Sequence, residues 1–326
     1  MQAMEYRNLG RTDLKVSRLA MGAMTLGGQA AEAEAIRMVD RCLEHGINFF
    51  DTANVYNQGE SEIILGKALR GRRHKVVLAT KVRGKMGEEP DDVGLKRPAI
   101  RKAIDASLKR LGTDHVDLYY LHQPDWDTRI EETLAVMQEL VREGKVRYPA
   151  ASNYASWQVA QMLWHCENHD YVPPTVSQPM YNLLARGIEQ EYVAFCREYQ
   201  IAIIAYNPLA GGLLTGKHRL GRAPAAGTRF DGNKIYQDRY WHPAYFDAVE
   251  EVSTIASRAG MSTIALAFQW LLAQPVVDSV LLGASCLEQL EENFKACAGP
   301  VLDAGVLEEC DAVWTKLRGV TPKYNR

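Results

Sequence analysis

Three ionisable side chains of different kinds end three apolar runs: Asp51 closes INFFD, Lys81 closes VVLATK and His122 closes VDLYYLH. Tyr56 follows shortly after Asp51, in DTANVY. A carboxylate, an ammonium, a phenol and an imidazole gathered in one place could reduce a carbonyl. That reaction needs a hydride donor on one side and a proton donor beside the carbonyl oxygen. An isolated tyrosine, with a pKa of about 10, is a poor acid at neutral pH. A nearby ammonium stabilises the phenolate and lowers that value. A buried lysine tends to lose its proton unless a carboxylate holds its charge, and Asp51 could supply one. His122 could then donate a hydrogen bond that orients the carbonyl. Ser152-Asn153 also follow an apolar run, and Gln178 stands near the end of another. Singly, each of these residues has an ordinary reading as turn chemistry. Together they point to a site. Lys81 alone would also suit a Schiff-base aldolase, a chemistry with no need of Tyr56.

What must position these residues is an alternation of short apolar runs with helical patterns. The runs lie at 16–21, 47–50, 76–80, 116–121, 146–151, 175–180, 201–206 and 279–282, and helical patterns are clearest at 32–45, 61–70, 98–111, 131–142, 156–169 and 188–199. Strands too apolar to face water, alternating with helices, predict a parallel sheet covered on its outer side. Eight such repeats at this length favour a closed (β/α)8 TIM barrel over an open sheet. An open dinucleotide-binding sheet would carry G-x-G-x-x-G after its first strand, and Gly22 with Gly27-Gly28 does not match that spacing. Residues 6–18 read as an N-terminal hairpin capping the barrel floor. Residues 207–243 form a long loop after the seventh strand, and such loops are functional or disordered. Helices follow at about 244–259 and 262–273, and residues 302–317 read as an extra C-terminal helix. No linker divides the chain, so one domain over residues 1–326 is expected.

Composition excludes several classes. A net charge of −2 argues against a nucleic-acid binder, which would carry a basic stripe. No apolar run nears the roughly 20 residues that cross a bilayer, and the opening MQAMEYRNLG lacks the pattern of a signal peptide. Six scattered cysteines, none in C-x-x-C spacing, suit reduced thiols better than disulfides or a zinc site. The expectation is a cytoplasmic protein with a small-molecule partner and no metal; a homo-oligomer stays open.

The blocks LGRTDLKVSRLAMGAMTLGG, DTANVYNQGESEIILGKAL, LATKV, LGTDHVDLYYLHQPD, ASNY, YNPLAGGLLTGK and GASCLEQLEENF resemble the aldo-keto reductases over nearly the whole chain. The resemblance implies an NADPH-dependent barrel oxidoreductase acting on an aldehyde or ketone. It implies Tyr56 as proton donor, Lys81 and Asp51 as its tuning partners, and His122 as the carbonyl-orienting residue. Ser152, Asn153 and Gln178 are implied to hold the nicotinamide carboxamide, and Tyr206 to stack on its ring. Ala23, Met24 and Asp51 belong to the same implied cofactor surface. Asn207, Pro208, Leu209, Ala210 and Gly211, in the run to Lys217, resemble the loop that folds over the pyrophosphate, with Arg229 assisting. Gly283 and Ser285 open a helix, where free N–H groups and the dipole favour phosphate. By resemblance, Ser285, Gln289, Glu292 and Asn293 would hold the adenosine 2′-phosphate and adenine. Glu288, Glu291 and Glu292 make the charge there unfavourable for a phosphate.

Two positions depart from the family pattern. Asn57 stands where glycine commonly follows the tyrosine, and Pro149 removes a backbone donor from the fifth run. Some barrels similar to this family are ancillary potassium-channel subunits that bind NADPH and mainly serve assembly. That type carries Asn where this chain has His122, which favours catalysis here. Loops at 84–94, 124–128 and 230–245 are expected around the substrate. Their Trp126, Tyr236, Tyr240, Trp241 and Tyr245 form either an aromatic wall or packing and subunit contacts.

Overall fold

The structure, a computed structural model, describes residues 4–320. The domain expected over 1–326 therefore includes short terminal stretches outside the described residues. Two short strands come first, β1 (Tyr6–Asn8) and β2 (Lys15–Ser17), paired antiparallel. Eight more follow: β3 (Leu19–Gly22), β4 (Phe49–Asp51), β5 (Val77–Val82), β6 (Val116–Leu121), β7 (Val146–Ser152), β8 (Val176–Gln178), β9 (Ala202–Ala205) and β10 (Val277–Leu282). These eight close into a barrel in the order β10-β3-β4-β5-β6-β7-β8-β9, every pair parallel. The fold is the expected (β/α)8 barrel with an N-terminal hairpin.

The apolar run at 16–21 turns out to be two strands. Arg18 stands between them and changes partners: its N–H donates to Glu5 O at 2.9 Å, while its carbonyl accepts from Val280 N at 2.9 Å. One continuous apolar stretch thus serves hairpin and barrel in turn. Pro149, which removes a backbone donor from β7, leaves the strand whole. Pairing with β6 continues through Tyr119↔Pro149 to Leu121↔Ala151, and Ser152 then pairs with Gln178 on β8.

Strand side chains alternate between faces, and this parity builds the interior. Phe49, Val77, Ala79, Leu118, Tyr120, Ala150, Val176, Ala202, Ile204 and Leu281 form one buried cluster inside the barrel. Leu9, Leu14 and Val16 of the hairpin join the same cluster, so the hairpin plugs the floor with apolar side chains. The alternate residues, such as Leu78, Leu121 and Ile203, belong to a second, larger cluster beneath the helices.

The helices are α1 (Glu32–Glu44), α2 (Glu60–Ala68), α3 (Arg97–Leu111), α4 (Ile130–Arg142), α5 (Ser156–Asn168), α6 (Tyr192–Glu198), α7 (Lys234–Tyr240), α8 (Pro243–Arg258), α9 (Thr263–Ala273), α10 (Leu287–Cys297) and α11 (Ala304–Arg318). In α1 the buried Ala35, Met38, Val39 and Cys42 fall at helical spacing on one face, as packing on a sheet requires. The long segment after β9 has structure of its own. Its first part winds through Ala210–Thr215, and its last part forms α7, a helix that the sequence pattern does not announce. Phe230 and Tyr240 are fully buried there, and Trp241 packs against Phe230 and Phe246 with ring centroids 5.0 and 5.1 Å away. These aromatics hold the segment together from within.

Candidate active site

Interior parity carries past the apolar layers to the upper rim. On β5, Val77 and Ala79 are followed on the same face by Lys81; on β4, Phe49 is followed by Asp51; on β8, Val176 by Gln178. His122 directly follows β6, and Tyr206 follows β9, both with the parity of interior residues. The chemistry-bearing residues are therefore the next interior layer above a packed apolar plug.

Asp51 and Lys81 are almost completely buried and form an ion pair through Asp51 Oδ1. Lys81 Nζ also donates to the Thr52 carbonyl at 2.8 Å, and Gln178 Nε2 donates to Asp51 Oδ2 at 2.8 Å. Burial alone would push the lysine's pKa down, but Asp51 and the neighbouring phenol reverse this and hold it above its ordinary value. Burial raises the Asp51 carboxyl against the pull of Lys81 and Gln178. With its ammonium favoured, Lys81 is a cation rather than a free amine nucleophile.

Tyr56 lies over this pair, half-buried, with Lys81 Nζ 5.0 Å from its ring centroid. Its ring meets His122 edge-on at 5.7 Å between centroids. The sequence reading expects the ammonium to lower the phenol's pKa. Lys81 does pull it down, but desolvation outweighs that pull and the net direction is upward. The phenol thus keeps its proton through neutral pH. His122 moves the other way: burial, then the charges of Lys81 and Arg83, lower its pKa to about 3. It is a neutral imidazole, able to donate one hydrogen bond while accepting another.

The residues after Tyr56 help hold it in place. Asn57 and Gln58 both adopt the left-handed region, at φ 47° and 55°. Asn tolerates that conformation better than most residues. The Asn57 amide donates to Met24 O at 3.0 Å and Leu26 O at 2.7 Å, tying the tyrosine loop to the loop after β3. Ser61, in the first turn of α2, donates to Ala23 O at 2.6 Å and strengthens the same tie.

The remaining expected residues fall into two groups. Ser152 donates to Gln178 O at 2.9 Å, and Asn153 donates to His122 O at 2.9 Å and accepts from Tyr206 OH at 2.7 Å. These amides and the hydroxyl line one side of the rim, a donor and acceptor set that fits a carboxamide. Asn207 accepts from Gly211 N at 2.7 Å and shapes the following turn. Gly211 has φ 70°, and a Cβ there would stand 2.8 Å from the Tyr236 ring, so both backbone and space require glycine. Pro208 and Ala210 are buried, Leu209 is half-buried and Lys217 is exposed. Arg229 reaches Met24 Sδ at 2.8 Å and lies over the Tyr236 ring at 5.5 Å.

The second group, around α10, is tied up internally. Ser285 N and Oγ both donate to Gln289 Oε1 at 3.0 Å, and Asn293 donates to Gly283 O at 3.1 Å. Glu292 is exposed. Glu34 of α1 was not foreseen at this end, yet its carboxylate takes the Leu287 N–H at 2.6 Å. The helix end expected to seat a phosphate already faces a carboxylate. Nothing in the local sequence announces Glu34, because it arrives from the far end of the chain. The expected aromatic wall divides: Tyr240 and Trp241 are packing residues, whereas Trp126 is exposed.

Residues 18–315 match the profile of the Aldo/keto reductase family. A protein of Bacillus subtilis named Uncharacterized oxidoreductase YrpG is 37% identical over 98% of this chain and 99% of its own. Aflatoxin B1 aldehyde reductase member 2 of Rattus norvegicus is 36% identical, covering 94% of this chain and 87% of its own. A Probable voltage-gated potassium channel subunit beta of Arabidopsis thaliana is 37% identical over 95% of this chain and 96% of its own.

Proposed function

The chain belongs to the aldo/keto reductase family, and on that premise we propose that this oxidoreductase reduces an aldehyde or ketone with NADPH, Tyr56 donating the proton. The observation that carries the reading is the convergence of Tyr56 and His122 above a Lys81 ammonium fixed by Asp51. When bound, the cofactor supplies the hydride. Ser152, Asn153 and Gln178 would hold its carboxamide end, with the ring against Tyr206. The turn from Asn207 to Lys217, with Arg229, would cover its phosphates, and Ser285, Gln289 and Asn293 would meet the adenosine.

Each protein group has a distinct task. His122, neutral, hydrogen-bonds the carbonyl oxygen and sets its angle. Tyr56 delivers a proton to that oxygen as negative charge develops on it. The adjacent ammonium stabilises the phenolate left behind. Asp51 keeps the ammonium charged and, through Gln178, joins the proton donor's support to the nicotinamide side. The reverse reaction, oxidation of the alcohol, uses the same groups in reverse order.

A Schiff-base role for Lys81 fits poorly, since Asp51 and the burial of the pair favour the ammonium over the amine. The channel-subunit relatives support a second reading, nucleotide binding with little turnover. The test between them is loss of NADPH absorbance with 4-nitrobenzaldehyde, for wild type and Tyr56→Phe. Turnover in wild type and a loss of roughly a thousandfold or more in the variant, with NADPH binding kept, is expected. Undiminished turnover in the variant sinks the proton-donor assignment; none in either protein favours the second reading.

A further inference from the structure

Arg83 is the next residue of interior parity after Val77, Ala79 and Lys81. Its backbone is wedged into the rim of the site. On one side, His122 N donates to the Val82 carbonyl at 3.0 Å, so the Arg83 peptide lies beside His122. On the other, Gly84 packs so closely on Val55, the residue before Tyr56, that a Cβ there would stand 2.6 Å from Val55 Cβ. Arg83 thus lies between the elements that carry the two carbonyl-facing groups. Its φ is 130°, a conformation that side chains rarely adopt, and Gly94 N holds its carbonyl at 3.0 Å. Such strain concentrates where ligands are gripped.

Its guanidinium has no hydrogen bond or ion pair among the described residues, and Nε is sealed from solvent. Asp125 is close enough for its charge to be felt, but its oxygens are taken by Leu95 N at 2.7 Å, Thr128 Oγ1 at 2.7 Å and Asp127 N at 3.3 Å. Asp51 is committed to Lys81 and Gln178. His122 is neutral and supplies no counter-charge. Nε is sealed from solvent and out of a ligand's reach, but Arg83 as a whole is only half-buried, and the two terminal nitrogens of a planar guanidinium match a carboxylate with two parallel hydrogen bonds.

We propose that Arg83 binds a carboxylate carried by the carbonyl substrate, so that the preferred substrates are aldehyde or keto acids. The proposal rests on the carbonyl-reduction reading and adds a substrate class to it. Phosphate oxygens could meet the same fork, and the experiment separates the two.

The test compares 4-carboxybenzaldehyde with 4-nitrobenzaldehyde, its uncharged near-isostere, in wild type, Arg83→Gly and Arg83→Lys. Glycine accepts φ 130° without strain, so Arg83→Gly folds and melts no lower than wild type. The ratio of kcat/KM for the carboxylated over the nitro substrate falls roughly tenfold or more in Arg83→Gly. The change is carried by KM, and Arg83→Lys restores part of it. An unchanged ratio overturns the proposal. Preference by wild type for 4-formylphenyl phosphate over the carboxylate overturns the carboxylate assignment. Should no aldehyde turn over, the reductase reading fails separately, and 4-carboxybenzyl alcohol titrated against tryptophan fluorescence tests Arg83 alone. Weaker binding in Arg83→Gly supports the proposal, whereas equal affinity, or no binding to either protein, overturns it.

Discussion

On the proposed reading the candidate site has a carbonyl end and an adenosine end, and the two use paired opposite charges in different ways. At the carbonyl end, Lys81 and Asp51 are sealed inside the barrel and each is fixed by a second partner, Thr52 O and Gln178. At the adenosine end, carboxylates and guanidinium groups pair near the surface: Glu34 with Arg37 and the Leu287 N–H, Glu291 with Arg41. A buried charge that loses its partner leaves the other stranded, at about 3–5 kcal/mol. Surface pairs are worth about 0–1 kcal/mol and re-form readily. On that reading the proposed chemistry is brittle, while the proposed nucleotide preference is soft.

The largest way to break that contrast is Lys81→Met. It strands the Asp51 carboxylate and is expected to destabilise the protein by about 3–5 kcal/mol in urea unfolding, besides abolishing turnover. A loss below about 1 kcal/mol would place the carbonyl end in the same soft class as the surface. A middle-sized effect comes from His122. Its folded pKa is about 3 against 6.5 ordinarily. Between those values the unfolded chain binds a proton that the native state refuses, so stability falls as pH drops below about 6.5. The slope reaches on the order of 1 kcal/mol per pH unit. His122→Asn flattens this limb of a urea series taken from pH 4 to 7, and identical limbs in both proteins would show that the imidazole titrates freely. The smallest effect sharpens the other side. Glu34→Gln removes a charge from the helix end and is expected to tighten NADPH, measured by fluorescence titration, by roughly threefold to tenfold, with NADH changing less. Equal changes for both nucleotides would separate Glu34 from the 2′-phosphate.

The same contrast governs what the sequence makes legible. Asp51, Lys81, His122 and Gln178 are readable because each is a polar residue at or near the end of an apolar run, and the barrel turns run ends into one layer. Arg83 obeys that same parity but stands past the run, where a positive φ hides it from any strand pattern. Glu34 is invisible for another reason: it meets Leu287 across 253 positions of sequence, and no local signal encodes such a contact. The helix α7 escapes because its residues, Lys234–Tyr240, are mostly polar or aromatic, and its one aliphatic residue, Ile235, is exposed. The split of residues 16–21 into β2 and β3 depends on Arg18 changing partners, a tertiary fact. The upward net shift of the Tyr56 phenol likewise depends on its desolvation above the Lys81 pair, which spacing does not report.

The seam between β10 and β3 joins Val280 to Leu19, and Thr25 Oγ1 spans it again at the rim, donating to Ala284 O at 2.6 Å. Seen from the ribosome, this contact between the two ends of the fold sets the order of events. Until β10 emerges, β3 and β9 both present open strand edges, the kind of surface on which nascent chains associate wrongly. Closure is a long-range event with an entropic cost, so it is expected to come late. A chain stopped short of Val277 is then a sheet with two sticky margins, and the layer that holds Asp51 and Lys81 loses the closed wall around it.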